Sequence, residues 1–209
     1  GTSHSPQLSI PWTQWDLLRE KDETDPSLDY RALLEQAKPG IGNEITQEKW
    51  QRRHEACQKA IGSLGEILRK ANPDAVVVLG DDQHEQFQDD NMPTFAVYHG
   101  KSLPLVRHSG RNQAAWKLAE EKGWAGTAKE YRAAWELAEH LIKSLTSDEF
   151  DVARSSRLRE DVGVGHAFSF LYRRILPGSA LPMVPVMVNT YYPPNQPMPK
   201  RCYAMGQAL

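Results

Sequence analysis

Between Ala75 and Phe87 the chain reads AVVVLGDDQHEQF, five apolar residues and a glycine running straight into Asp81, Asp82, Gln83, His84 and Glu85. Imidazole and carboxylate side chains bind metals and carry protons near neutral pH. Two chemistries suit such a group. Two histidines with one carboxylate make a facial triad that leaves open positions on iron(II), where a bidentate ligand and dioxygen can bind together. Carboxylates alone suit a hard divalent cation, which turns bound water into hydroxide for hydrolysis. The plain alternative is a solvated acidic turn with a capping aspartate.

Other residues could join this group. His4, in GTSHSP, and the stretch Asn189–Tyr192, NTYY, also follow strand-like segments. His166 comes after DVGVG and opens a predicted helix beside free backbone donors. His54 and His140 lie inside amphipathic helical patterns and read as surface residues, while His99 and His108 flank a loop. No G-x-S-x-G elbow, P-loop or G-x-G-x-x-G fingerprint occurs, and GVG at Gly163–Gly165 is too short for a nucleotide loop. Residue type and spacing predict a mononuclear metal site and leave its reaction open.

The elements that would position these residues alternate. Apolar residues at three- and four-residue steps predict a long helix from Thr46, with Trp50, Cys57, Ala60, Ile61, Leu64, Ile67 and Leu68 on one face, stopped by ANPD. Strands follow at Ala75–Leu79, TFAVY, FDVARS and LPMVPVMVN, with a helix at HAFSFLYRRIL. The segment from Gln113 to Leu145 reads as mostly helical, with Tyr131, Ala134, Trp135, Ala138, Leu141, Ile142 and Leu145 on one face and breaks near Gly123 and Gly126. Residues 11–43 read as irregular, with short helices such as YRALLEQA.

This pattern predicts one α/β domain over residues 1–209, a layered sheet with mainly parallel core strands flanked by helices. Ligands bind such sheets at the carboxyl ends of strands, where the three polar clusters fall. Both ends read as trimmed: GTSHSP as the exit of a strand begun upstream, KRCYAMGQAL as a helix cut short.

Composition narrows the classes. With 209 residues, 25 basic against 27 acidic and a net charge of −2, there is no basic block for nucleic acid or an anionic membrane. No run of eighteen apolar residues predicts a membrane span. Cys57 and Cys202 lack metal-type spacing and read as reduced thiols of a cytoplasmic protein.

Four stretches together carry a resemblance: GTSHSP, PDAVVVLGDDQHEQFQDDNMPTFAVY, VGHAFSFLYRRI and VPVMVNTYYPPNQPMPKRCYAMGQAL. They resemble the class III extradiol ring-cleaving dioxygenases, above all the catalytic subunit of protocatechuate 4,5-dioxygenase and its gallate and 3-O-methylgallate relatives. The resemblance implies a non-haem Fe(II) enzyme that opens a catecholic aromatic acid beside its two hydroxyls, using O2. It implies His4 as the first metal ligand and a second ligand in DDQHE, where alignment on PTFA puts Gln83; His84, one residue on, is the expected ligand because imidazole binds first-row metals well and an amide does not, and Glu85 could substitute. A downstream glutamate ligand and a catalytic histidine of the family would lie beyond Leu209. His166 stands within one residue of a family histidine that contacts substrate, which implies a catalytic, proton-transferring role. Tyr191 and Arg201 are the expected substrate-binding residues, with Arg201 offering a bidentate fork to a ring carboxylate. The resemblance also implies a homo-oligomer or a complex with a small lid subunit. A metal-dependent hydrolase and a non-catalytic binding or assembly subunit remain the competing readings.

Overall fold

The computed structural model describes residues 34–106 and 129–209. The expectations for His4, His108 and residues 113–128 fall outside these. The chain divides into two units, Gly1–Ser63 with Arg107–Thr127, and Leu64–Val106 with Ala128–Leu209. In the first unit, residues 34–36 are helical, a 3-10 turn spans Ile41–Glu44, and Glu44 anchors the following helix start through Arg53 Nη2 at 2.6 Å. Lys49 and Arg53 hold the Glu44 carboxyl below its ordinary range, the lysine foremost.

Helix α1, Gln47–Ala71, spans the boundary between the units. It ends where Asn72 adopts a positive φ of 44° just ahead of Pro73. Its anticipated apolar stripe is only partly used. Gly65 is buried and Leu68 packs on the core, but Leu64 and Ile67 are exposed. Gly65 admits the Ile175 carbonyl, which would lie 2.3 Å from any Cβ placed there.

The second unit is built on a four-stranded sheet of order β1-β6-β2-β5, where β1 is Val76–Asp81, β2 Phe95–Tyr98, β5 Ala153–Ser155 and β6 Met183–Val188. Strands β1 and β6 run parallel, as do β2 and β5, while β2 pairs antiparallel with β6. The sheet is mixed with mainly parallel pairs, an α/β architecture as the alternation of apolar runs predicts. Because β2 runs opposite to β1, its carboxyl end points away from the end where β1 and β6 terminate.

Side chains alternate across the sheet and divide the core between two faces. One face gathers Ala96, Tyr98, Met183 and Met187 with Phe168, Leu171, Tyr172 and the partly buried Leu68. Phe168 belongs to α3, His166–Phe170, which continues into a π-helical turn, Leu171–Ile175. The other face gathers Phe95, Val97, Val184 and Val186 with helix α2, Trp135–Ser147, and with Met205 of α4, Pro199–Ala208.

One element differs from expectation. The stretch read as helix up to Leu145 contains a strand, β4, Lys129–Arg132, which pairs antiparallel with β3, Ser102–Leu105. Tyr131 is therefore a strand residue, paired opposite Leu103 and stacked on Tyr172 at 3.8 Å. The hairpin packs Leu103 and Leu105 into the core, which outweighs the helical spacing of its neighbours.

Candidate active site

In register, Asp81 stands opposite Val188, so the loops DDQHE and NTYY leave the sheet side by side. Successive residues of the first loop reach different neighbours. Asp82 turns inward and is buried; its Oδ1 accepts from Gln86 N at 2.8 Å and its Oδ2 from Phe87 N at 2.9 Å. Burial raises the Asp82 pKa against the pull of those two donors. Gln83 folds back, donating from Nε2 to Asp81 Oδ2 at 2.9 Å.

His84 adopts φ 57°, the left-handed region uncommon for a residue with a Cβ. That turn aims its ring onto Tyr192, with centroids 3.7 Å apart and planes 19° from parallel. His84 Nε2 is a buried atom 2.9 Å from Asp89 Oδ1, close but not aligned for a hydrogen bond. Tyr192 is itself held by Asn189, whose Oδ1 accepts from Tyr192 N at 2.9 Å and whose Nδ2 donates to Tyr192 O at 2.7 Å. Desolvation first, then the carboxylates of Asp82, Asp89 and Asp81, raise the Tyr192 phenol above its ordinary pKa.

Glu85 points the other way. Its Oε1 accepts from His166 N at 2.9 Å, and its Oε2 lies 2.9 Å from His166 Nδ1. Gln86 extends the link, donating from Nε2 to Gly163 O at 2.6 Å and accepting at Oε1 from Arg159 N at 3.0 Å. One loop thus ties the end of β1 to the start of α3 and, through His84, to the loop after β6.

Residues 39–209 match the family model described as the catalytic LigB subunit of aromatic ring-opening dioxygenase. The chain belongs to the LigB family. Within this LigB-family chain, 154 residues are 26% identical to a 2,3-dihydroxyphenylpropionate/2,3-dihydroxicinnamic acid 1,2-dioxygenase of Comamonas testosteroni, covering 74% of this chain and 42% of that protein. The chain spans less than half the length of that relative.

On this LigB-family sheet the anticipated residues are distributed unevenly. Glu85 and His166 are brought together, while His84 of the same loop turns to Tyr192. Tyr191 is exposed, its ring 6.1 Å from that of Tyr192. Arg201 opens α4 and stacks on Phe150 at 4.6 Å, on the sheet face opposite α3, so it does not meet His166. His99 is engaged elsewhere, with Nδ1 3.2 Å from Glu139 Oε1 on α2. Gln86 and Asn195 were not anticipated. Asn195 reaches across 103 positions to donate to Met92 O at 2.5 Å, a link with no local sequence signal. Among the described residues no three His, Cys, Asp or Glu side chains converge as a metal site. No described helix is long and apolar enough to cross a membrane.

Proposed function

We propose that the whole protein is a non-haem iron(II) dioxygenase that opens the ring of a catecholic acid of protocatechuate or gallate type in extradiol fashion. The observation that carries this reading is the loop after β1 in a LigB-family chain: it presents His84 and, one residue on, engages His166. The donor chemistry fits iron(II). His84 Nε2 is a buried imidazole nitrogen that makes no hydrogen bond and lies 2.9 Å from Asp89 Oδ1, so a cation there would meet an imidazole and a carboxylate. His84, with His4 and a carboxylate from elsewhere in the whole protein, would hold the metal. When bound, iron(II) lowers the pKa of the catechol hydroxyls and offers a position to dioxygen.

The chain's own residues supply the rest. His166 accepts a proton from a substrate hydroxyl. Tyr191 lines the approach to the ring. Tyr192, kept protonated first by desolvation and then by its acidic neighbours, braces His84 by stacking. A hydrolase built on the acidic loop has less support, since both Asp82 oxygens already accept from the loop backbone. We place the protein in the cytoplasm, where the unpaired Cys57 and Cys202 stay reduced, as a homo-oligomer or with a small subunit over the site.

The test is oxygen uptake. The natural full-length protein is loaded anaerobically with iron(II) and mixed with protocatechuate, gallate and 3-O-methylgallate. Uptake with at least one, and none after zinc loading, is the expected result. No uptake with any of them would overturn the reading.

A further inference from the structure

Because β6 lies between β1 and β2 in the sheet, residues 82–94, which connect β1 to β2, must cross the end of β6. The loop that leaves β6 is fastened to both ends of this crossing. At its start, Tyr192 stacks on His84. At its finish, three hydrogen bonds reach residues 92–94. Asn189 N donates to Thr94 O at 3.0 Å, which continues the β2–β6 ladder one step past the Phe95–Val188 pair. Thr94 Oγ1 donates to Asn195 O at 2.8 Å, and Asn195 Nδ2 donates to Met92 O at 2.5 Å. Asn195 Oδ1 also accepts from Asn189 Nδ2 at 3.3 Å, and Asn189 in turn holds the backbone of Tyr192. Met92 and Asn189 are both buried, so these amides link Met92 to Tyr192 away from solvent.

We propose that Asn195 is a positioning residue that sets the Tyr192 ring against the His84 imidazole, by tying the loop after β6 to the end of the loop that carries His84. Its consequence for metal binding deepens, and rests on, the reading of His84 as an iron(II) ligand. Asn189 makes the turn stiff and the sheet fixes its base, but neither fixes its far end. Asn195 does. Its amide meets both demands of the place at once, a donor for Met92 O and an acceptor for Asn189 Nδ2. Aspartate would keep the acceptor and set a second oxygen against the Met92 carbonyl. An imidazole already held in one orientation loses less freedom when it takes up a cation.

Asn195→Ala and Asn195→Asp are compared in the natural full-length protein. In the metal-free wild type, labelled at histidine and tyrosine, nuclear Overhauser contacts should join the His84 and Tyr192 rings, and the stack should shift the His84 ring protons upfield. Both variants should lose that shift, while His140 on α2 keeps its resonances. Iron(II) affinity, from anaerobic titration, should fall about tenfold in each. Adding Asn195→Ala to Tyr192→Ala should cost no more than Tyr192→Ala alone, because both act through one stack. A general loosening of the fold would add the two losses instead. Absence of contact between the two rings in the wild type overturns the proposal without any variant having to fold. Unchanged His84 resonances in Asn195→Ala, or additive losses in the double variant, also overturn it. If the resonances move as expected but the wild type binds no iron(II), the positioning stands and the metal reading falls.

Discussion

His84 and Tyr192 lie ring on ring, 3.7 Å apart and 19° from parallel, and this stack joins the loops that follow two neighbouring parallel strands. Tyr192 has little freedom to choose another partner, because Asn189 clamps its backbone from both sides. An aromatic pair of this kind is worth about 0.5–1.5 kcal/mol beyond the area it buries. Tyr192→Ala should loosen the His84 ring and weaken iron(II) binding about tenfold, whereas Tyr192→Phe keeps the face and should bind as wild type. Anaerobic titration with iron(II) distinguishes the two variants.

Asp82 should matter for stability rather than for chemistry. Replacing it by Ala strands two loop N–H groups in a buried place, at a cost of roughly 1–3 kcal/mol for each group left unpaired. Asp82→Asn retains one acceptor and should lose less. Urea midpoints at constant m-value measure the difference.

Gly80 sits where β1 meets α3. A Cβ there would come 2.8 Å from the Ala167 Cβ and 3.1 Å from the Phe168 ring. Gly80→Ala should therefore push α3 off the strand and cost about 1–3 kcal/mol. It should also displace His166 from Glu85, which would appear as altered His166 ring resonances together with a lower melting temperature.

Gln83 and His84 separate by the direction in which the backbone aims them. Gln83 is turned back on Asp81, while the positive φ of His84 carries its ring toward Tyr192. His84→Asn suits the left-handed backbone and removes the imidazole. It should cost at least about tenfold in iron(II) affinity, and Gln83→Ala should cost little. Equal losses, or a greater loss from Gln83→Ala, would contradict the assignment.

Much of the scaffold was legible because the apolar runs are unambiguous. VVVL and MVPVMV read as strands, and their polar exits fall together because β1 and β6 run parallel; β6 is buried along almost all its length, whereas β1 is only partly buried and Leu79 is exposed. The hairpin β3–β4 was not legible. Pro104 interrupts one strand, and KEYR is charged, largely exposed and continuous in sequence with helical spacing. The reversal of β2 was equally hidden, since a short apolar run carries no mark of its direction. Within the site, the residue types of DDQHE advertised chemistry, but not how each would turn. Asp82, readable as a solvated cap, is buried, and the partner of Glu85 depends on a contact that no local pattern encodes.

The most direct measurement of the central claim follows both atoms of dioxygen. Full-length protein, loaded with iron(II), is turned over on protocatechuate or gallate under 18O2, and the ring-opened product is weighed by mass spectrometry. The account predicts two labelled oxygen atoms in each product molecule, allowing for exchange of the aldehyde or keto oxygen with water. A product without label, or formed equally well under nitrogen, would contradict it.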